Sequence, residues 1–191
     1  MGCNTKNKLQ RIFPTSIDIQ PKLENLKEKG RIKFFFHSPH SSLPIRDIHL
    51  GKTEPHIEKN AENYCSRCYQ NETIQPFLIS DEKYLFLFTT NRDSKSPYNN
   101  YRYIVGYLEK QNYKKIEENH YSVIGKINLY NFKDAFPLID IVLKKDKVRN
   151  YRVLKIDTDK TTKILEHFKT KTNIYDSCLE EIIRLKNLVK N

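Results

Sequence analysis

The sequence has no tryptophan, a single methionine and only 5 glycines in 191 residues. So little glycine argues against the Walker and Rossmann phosphate loops, which need glycine where the backbone closes around a phosphate. An ATPase, GTPase or dehydrogenase is therefore disfavoured. No apolar run approaches the roughly 20 residues that a membrane span requires, so no membrane is expected. The opening "MGCNTKNKLQ" lacks the apolar core of a secretory signal. Gly2 and Cys3 are reminiscent of acylated chains, but Lys6 stands where a myristoylation signal carries Ser or Thr, and no lipid anchor is expected. The 4 cysteines, in a chain read as unsecreted, are expected as thiols or metal ligands rather than a disulfide framework. The expected location is the cytoplasm. Internal repeats and low-complexity blocks are absent.

Positive charge and aromatic rings are what the chain has in quantity. Lys and Arg number 34 against 23 Asp and Glu, a net charge of +11. Such an excess favours polyanionic partners, because neutralising phosphates releases condensed counterions. The plainer account is a chain simply rich in Lys, Ile, Asn and Glu together. With 12 Tyr and 10 Phe, rings supply much of the burial, and the expected partner is nucleic acid, DNA or RNA.

Along the chain, residues 1–30 read as a polar N-terminal extension with a short helix over 21–29, and residues 31–191 as one domain. "RIKFFF" (31–36) reads as a buried strand. The stretch from His37 to His56 carries Pro39, Pro44, Gly51 and Pro55, too many breakers for regular structure. Residues 56–70 read as helical behind Pro55. Strong strand signals follow at 83–90 and 101–110, then at 122–132, 137–143 and 151–156. Two helices close the chain over 157–190. The first places Ile164, Leu165 and Phe168 on one face after Asp157 or Asp159 as cap. The second carries a stripe of Tyr175, Cys178, Leu179, Ile182, Ile183 and Leu185 behind Asn173. Strands in the middle and helices at the end exclude an alternating βα fold. The expectation is α+β: a small mixed or antiparallel curled β-barrel with peripheral helices.

Three chemistries compete for the polar residues. A Cys2His2 zinc set would be His49, His56, Cys65 and Cys68, although the spacing matches no common finger. The structural account has Cys65 packed inward and the others solvated. Acid–base groups gather at His37, His40, Asp47, His49 and Glu54 with hydroxyls at Ser38, Ser41 and Ser42, yet no nucleophile elbow or metal-protease helix frames them. The third chemistry is ligand binding. Serine and histidine at the end of a buried aromatic strand offer donors and acceptors to a base edge. Phe36, Tyr64, Phe88, Tyr98 or Tyr103 would stack on its face, at about 1–3 kcal/mol per base. Phe34, Phe86 and at least half of the other rings are expected in the core. For the phosphate backbone the candidates are Arg92, Lys95 and Arg102 in one loop, and Lys144, Lys145, Lys147, Arg149 and Arg152 in another. The reading takes no cofactor, with zinc on the Cys2His2 set as the alternative.

"RIKFFFHSPHSS", "YLFLFTTN" and "YRYIVGYLEK", in that order, resemble the PUA-like superfamily, nearest its EVE and YTH branches, over about residues 31–130. The residues that carry the likeness are Phe86, Phe88, Thr89, Thr90 and Asn91, then Ile104, Val105, Gly106 and Tyr107. The resemblance implies a curled barrel whose pocket takes one base, often a modified one, flipped from its strand at a cost of a few kcal/mol. It implies that His37 and Ser38 line the pocket from the first strand and Thr90 and Asn91 from the second. YTH domains build their cage from tryptophan, which this chain lacks, so Tyr or Phe would stand in. The expected function is nucleic-acid binding without catalysis. The alternatives are a metal-dependent enzyme built on the His/Asp/Cys cluster at 37–68 and a non-catalytic interaction module docking through the last helix.

Overall fold

The run "YLFLF" becomes the centre of a sheet. The computed structural model of the chain describes residues 25–38, 43–44, 56–57, 63–66, 77, 80–117, 120–141 and 154–188. Its strands are β1 (Lys27–Ser38), β2 (His56–Ile57), β3 (Asn63–Ser66), β4 (Glu82–Asn91), β5 (Arg102–Glu117), β6 (His120–Leu129), β7 (Phe136–Pro137) and β8 (Leu154–Ile156). Successive side chains of a strand point to opposite faces, and β4 buries both sets. Leu85 and Leu87 join one core cluster with Val105, Leu108, Leu129 and Phe132. Tyr84, Phe86 and Phe88 join another with Ile32, Ile104, Ile164 and Phe168. A strand covered on both sides reads as a continuous apolar run rather than an alternating one.

The strand order is β2-β3-β6-β5-β4-β1-β8, with β7 beside β5. β1 runs parallel to β4, and the other pairs are antiparallel. The architecture is α+β on a mixed sheet. Among the described residues β2 and β8, the two ends of the path, do not pair, and the sheet is not closed into a barrel.

Gly106 sits where β5 and β6 approach closely. A Cβ there would stand 2.1 Å from the Asn128 carbonyl oxygen, so only hydrogen fits. Helix α1 (Thr158–Phe168) covers one face through Ile164 and Phe168. Asp157 caps it, accepting a hydrogen bond from Lys160 N at 2.9 Å. Helix α2 (Tyr175–Leu188) inserts Tyr175 and Cys178 into the other cluster. Asn173 ties it to the sheet: its Oδ1 accepts from Leu129 N and Tyr175 N, both at 3.0 Å.

Three expectations change. The helix over 21–29 gives way at Lys27, where β1 already begins; Lys27 N donates to Asp81 O at 2.7 Å, extending the ladder beyond the aromatic run. Of the helix expected over 56–70, the described residues form β2 and β3 instead, because β6 supplies a ladder along Asn63–Ser66 that outweighs weak helical propensity; the rest lie outside the described residues. In the expected strand over 137–143, β7 ends at Pro137, which has no N–H to continue pairing, and Leu138–Asp140 form a 3-10 turn, while residues 142–143 lie outside the described residues. Among the described residues no helix is long and apolar enough to cross a membrane.

Candidate functional site

The parallel pairing of β1 with β4 decides which residues meet. In its register Phe36 lies beside Thr89, His37 beside Thr90 and Ser38 beside Asn91. On the other side of β4, Thr89 pairs with Tyr103 and Thr90 with Arg102. One end of the sheet thus collects the ends of β1 and β4 and the start of β5. Thr89, Thr90 and Asn91 are buried there. Leu43 also packs on the neighbouring core cluster, as do Tyr98 and Tyr103.

The loop from Arg92 to Tyr101 is held in shape by its own polar side chains. Asn91 Oδ1 accepts from Asp93 N at 2.9 Å, Asp93 Oδ1 from Lys95 N at 2.9 Å, and Ser96 Oγ from Tyr98 N at 3.2 Å. Asn and Asp make such turns readily because their short side chains reach the backbone two residues on. Asn100 adopts φ 63°, donates its N–H to Asn91 O at 2.9 Å, and accepts from Arg92 Nη1 at 2.9 Å. Arg92, Lys95 and Arg102 are exposed on this frame. Arg102 lies 6.0 Å from the centre of the Phe88 ring.

Tyr98, Tyr103 and Phe132 form a packed trio. Tyr98 meets Tyr103 edge-on at 5.7 Å, and Phe132 lies 6.1 Å from Tyr98 and 6.0 Å from Tyr103. Burial, and then the phenols of Tyr98 and Tyr101, push the Tyr103 hydroxyl above its ordinary range. Phe88 is wholly buried in the core. Tyr64 pairs with Val123, whose partner on β5 is Tyr113. At about 3.3 Å per residue, that row lies about 30 Å along β5 from Tyr103.

Of the metal candidates, His56 and Cys65 are register partners in the β2–β3 pair; His49 and Cys68 lie outside the described residues. Among the described residues no group of three or more His, Cys, Asp or Glu side chains could hold a metal ion. Lys144, Lys145, Lys147, Arg149 and Arg152 also lie outside the described residues.

A second polar cluster, at the opposite end of β4, had no signal in the sequence. Glu82 is completely buried. Its Oε2 accepts from Arg31 Nε and, at 2.7 Å, from Ser80 Oγ. Among the described residues its Oε1 finds no hydrogen-bond donor, and Lys155 Nζ stands at 3.5 Å, an ion-pair distance. Lys110, 1% exposed, donates to the carbonyls of Phe77 and Ser80, both at 2.8 Å, and lies 4.6 Å from the Phe77 ring centre. Burial lowers its ammonium to about 8, against the opposing pull of Glu82 and Asp81. Nearby, Lys29, Lys155, Ile156, Asp157, Thr158 and Asp159 line an open cleft of about 500 Å³. Charges of both signs meet there, and Asp157 is engaged by its helix. Its chemistry selects no ligand class, so the Thr90–Asn91 end is the better candidate.

No protein-family model and no curated protein sequence matches the chain.

Proposed function

We propose that this protein binds nucleic acid and accepts a single base, flipped or modified, at the sheet end formed by β1, β4 and β5. The observation that carries the reading is the β1–β4 register, which sets His37 beside Thr90 and Ser38 beside Asn91. Residues 53 positions apart in the chain become neighbours there, next to the exposed cations Arg92, Lys95 and Arg102. Donors and acceptors at strand ends suit a base edge, and the cations suit the phosphates on either side. The PUA-like assignment belongs to this reading. Its support is the aromatic β1 beside the strand ending in Thr90-Asn91, itself paired with the strand carrying Ile104-Val105-Gly106. A cytoplasmic setting belongs to the same reading.

Titrating the full chain with single-stranded oligonucleotides, with and without modified bases, at low and physiological salt tests the reading. Binding that weakens with salt, and weakens further in an Arg92→Ala/Lys95→Ala variant, is the expected result. Absence of binding at low salt rejects it.

A metal-dependent enzyme is the second reading, favoured by the register pairing of His56 with Cys65. It predicts stoichiometric zinc or a redox metal in the purified chain by elemental analysis, which the first reading does not require.

A further inference from the structure

The aromatic residues expected to stack on a base are mostly committed elsewhere. Phe88 is core, and Tyr98 and Tyr103 are locked against Phe132. Among the described residues two large apolar side chains stand exposed instead: Tyr101 at 65% and Ile139 at 61%. Isolated exposed apolar residues are ordinary, but these two are not scattered. Tyr103 pairs with Pro137 across β5 and β7. Tyr101 lies two positions before Tyr103, and Ile139 two positions after Pro137, in the 3-10 turn that follows β7. Tyr101 thus adjoins the row in which Arg102 pairs with Thr90, and Ile139 follows the residue paired with Tyr103 in the next row. Arg102 follows Tyr101 directly. Arg92 is hydrogen-bonded to Asn100, which precedes it, so a guanidinium group is placed on either side of the exposed ring in the chain.

We propose that Tyr101 is a stacking platform for the nucleotide next to the accepted base, with Ile139 extending its apolar surface and Arg92 and Arg102 meeting the adjoining phosphates. This rests on the nucleic-acid reading and deepens it by naming the polymer form. An exposed ring can stack only on a base whose face is free, so the ligand is single-stranded. A duplex hides its base faces in its own stack and leaves Tyr101 nothing to cover. The platform is ready-made: the turns through Asn91, Asp93 and Ser96 and the positive φ of Asn100 hold the loop without a ligand.

Fluorescence anisotropy with the full chain, using a labelled single-stranded RNA, the matching DNA and a duplex, tests this. Tyr101→Ala is expected to weaken single-strand binding roughly tenfold, the scale of one lost base stack. Tyr101→Phe keeps the ring and is expected to keep the affinity. Neither change should alter the salt dependence, which reports phosphate contacts, nor the melting temperature, since the side chain is exposed. Arg92→Ala is expected to flatten the salt dependence instead. Wild-type binding to single strands that Tyr101→Ala leaves unchanged overturns the platform and leaves the nucleic-acid reading standing. Equal loss in Tyr101→Phe and Tyr101→Ala overturns it too, since the ring would not be what matters. Failure of the wild-type chain to bind any of the three polymers overturns both.

Discussion

At the scale of single residues, sterics and burial make the sharpest demands. Gly106 is held by the Asn128 carbonyl, which a methyl group would meet at 2.1 Å. Gly106→Ala must push β5 and β6 apart in the middle of the sheet. The expected loss is about 1–3 kcal/mol, as for other overpacked sites, and the urea midpoint measures it. Lys110 makes a different demand. Lys110→Met removes the donor to the Phe77 and Ser80 carbonyls and is expected to cost about 1–3 kcal/mol at neutral pH. Its pH signature is the firmer test. The folded-state value is about 8 against an ordinary value of 10.5, so between these limits the unfolded chain binds more protons. Stability contributed by this residue therefore rises with pH across that window. The gap between wild type and Lys110→Met should widen from about pH 8 to about pH 10.5 when denaturation is repeated across the range.

Elements depend on what their ends find. Both helices are legible from apolar spacing, and of the two acids that spacing leaves open as cap, Asp157 and Asp159, it is Asp157 that caps α1. Asn173 was expected as a cap for α2, and its side chain does bond Tyr175 N. What the sequence could not announce is that the same oxygen also takes Leu129 N at the end of β6. Asn173→Ala thus breaks a cap and a helix-to-sheet tie together. A loss of about 1–2 kcal/mol is expected, and hydrogen exchange at Leu129 and Tyr175 should speed up together. Loss of protection at Tyr175 alone would show that the tie to β6 carries no weight. The helix read over residues 56–70 failed for a related reason. Local propensity there is weak, and the partner that makes β3 a strand, β6, stands more than fifty residues away.

For the whole molecule, the net charge of +11 and the balance of buried titrating groups govern behaviour. Burial raises the Cys178 thiol from 9.0 to about 12 and the Tyr84 and Tyr175 phenols from 10.0 to about 12. Tyr107 and Tyr130 move the same way. Each group keeps its proton in the folded state at a pH where the unfolded chain has lost it, so stability falls as pH rises. Among the described residues that titrate in the alkaline range, Lys110 alone pulls the other way. A net decline in the urea midpoint beginning above about pH 9 is therefore expected, with Cys178 resisting alkylation until the chain unfolds. Rapid native-state labelling at Cys178 would contradict its burial.

By itself the sequence determined the aromatic strands, the closing helices, the cationic loop and the absence of phosphate-binding glycine loops, because each depends on composition or on spacing within about twenty residues. It also contained the pieces "FFHS" and "TTN", but not their meeting. Only the tertiary structure decided that they lie side by side, through a parallel pairing whose register depends on contacts across the intervening chain. It decided too that Tyr98 and Tyr103 close on Phe132 while Tyr101 faces outward, and that Glu82 and Lys110 are buried near one another. Burial and long-range pairing are properties of the assembled sheet, and local sequence does not encode which of several tyrosines the core will claim.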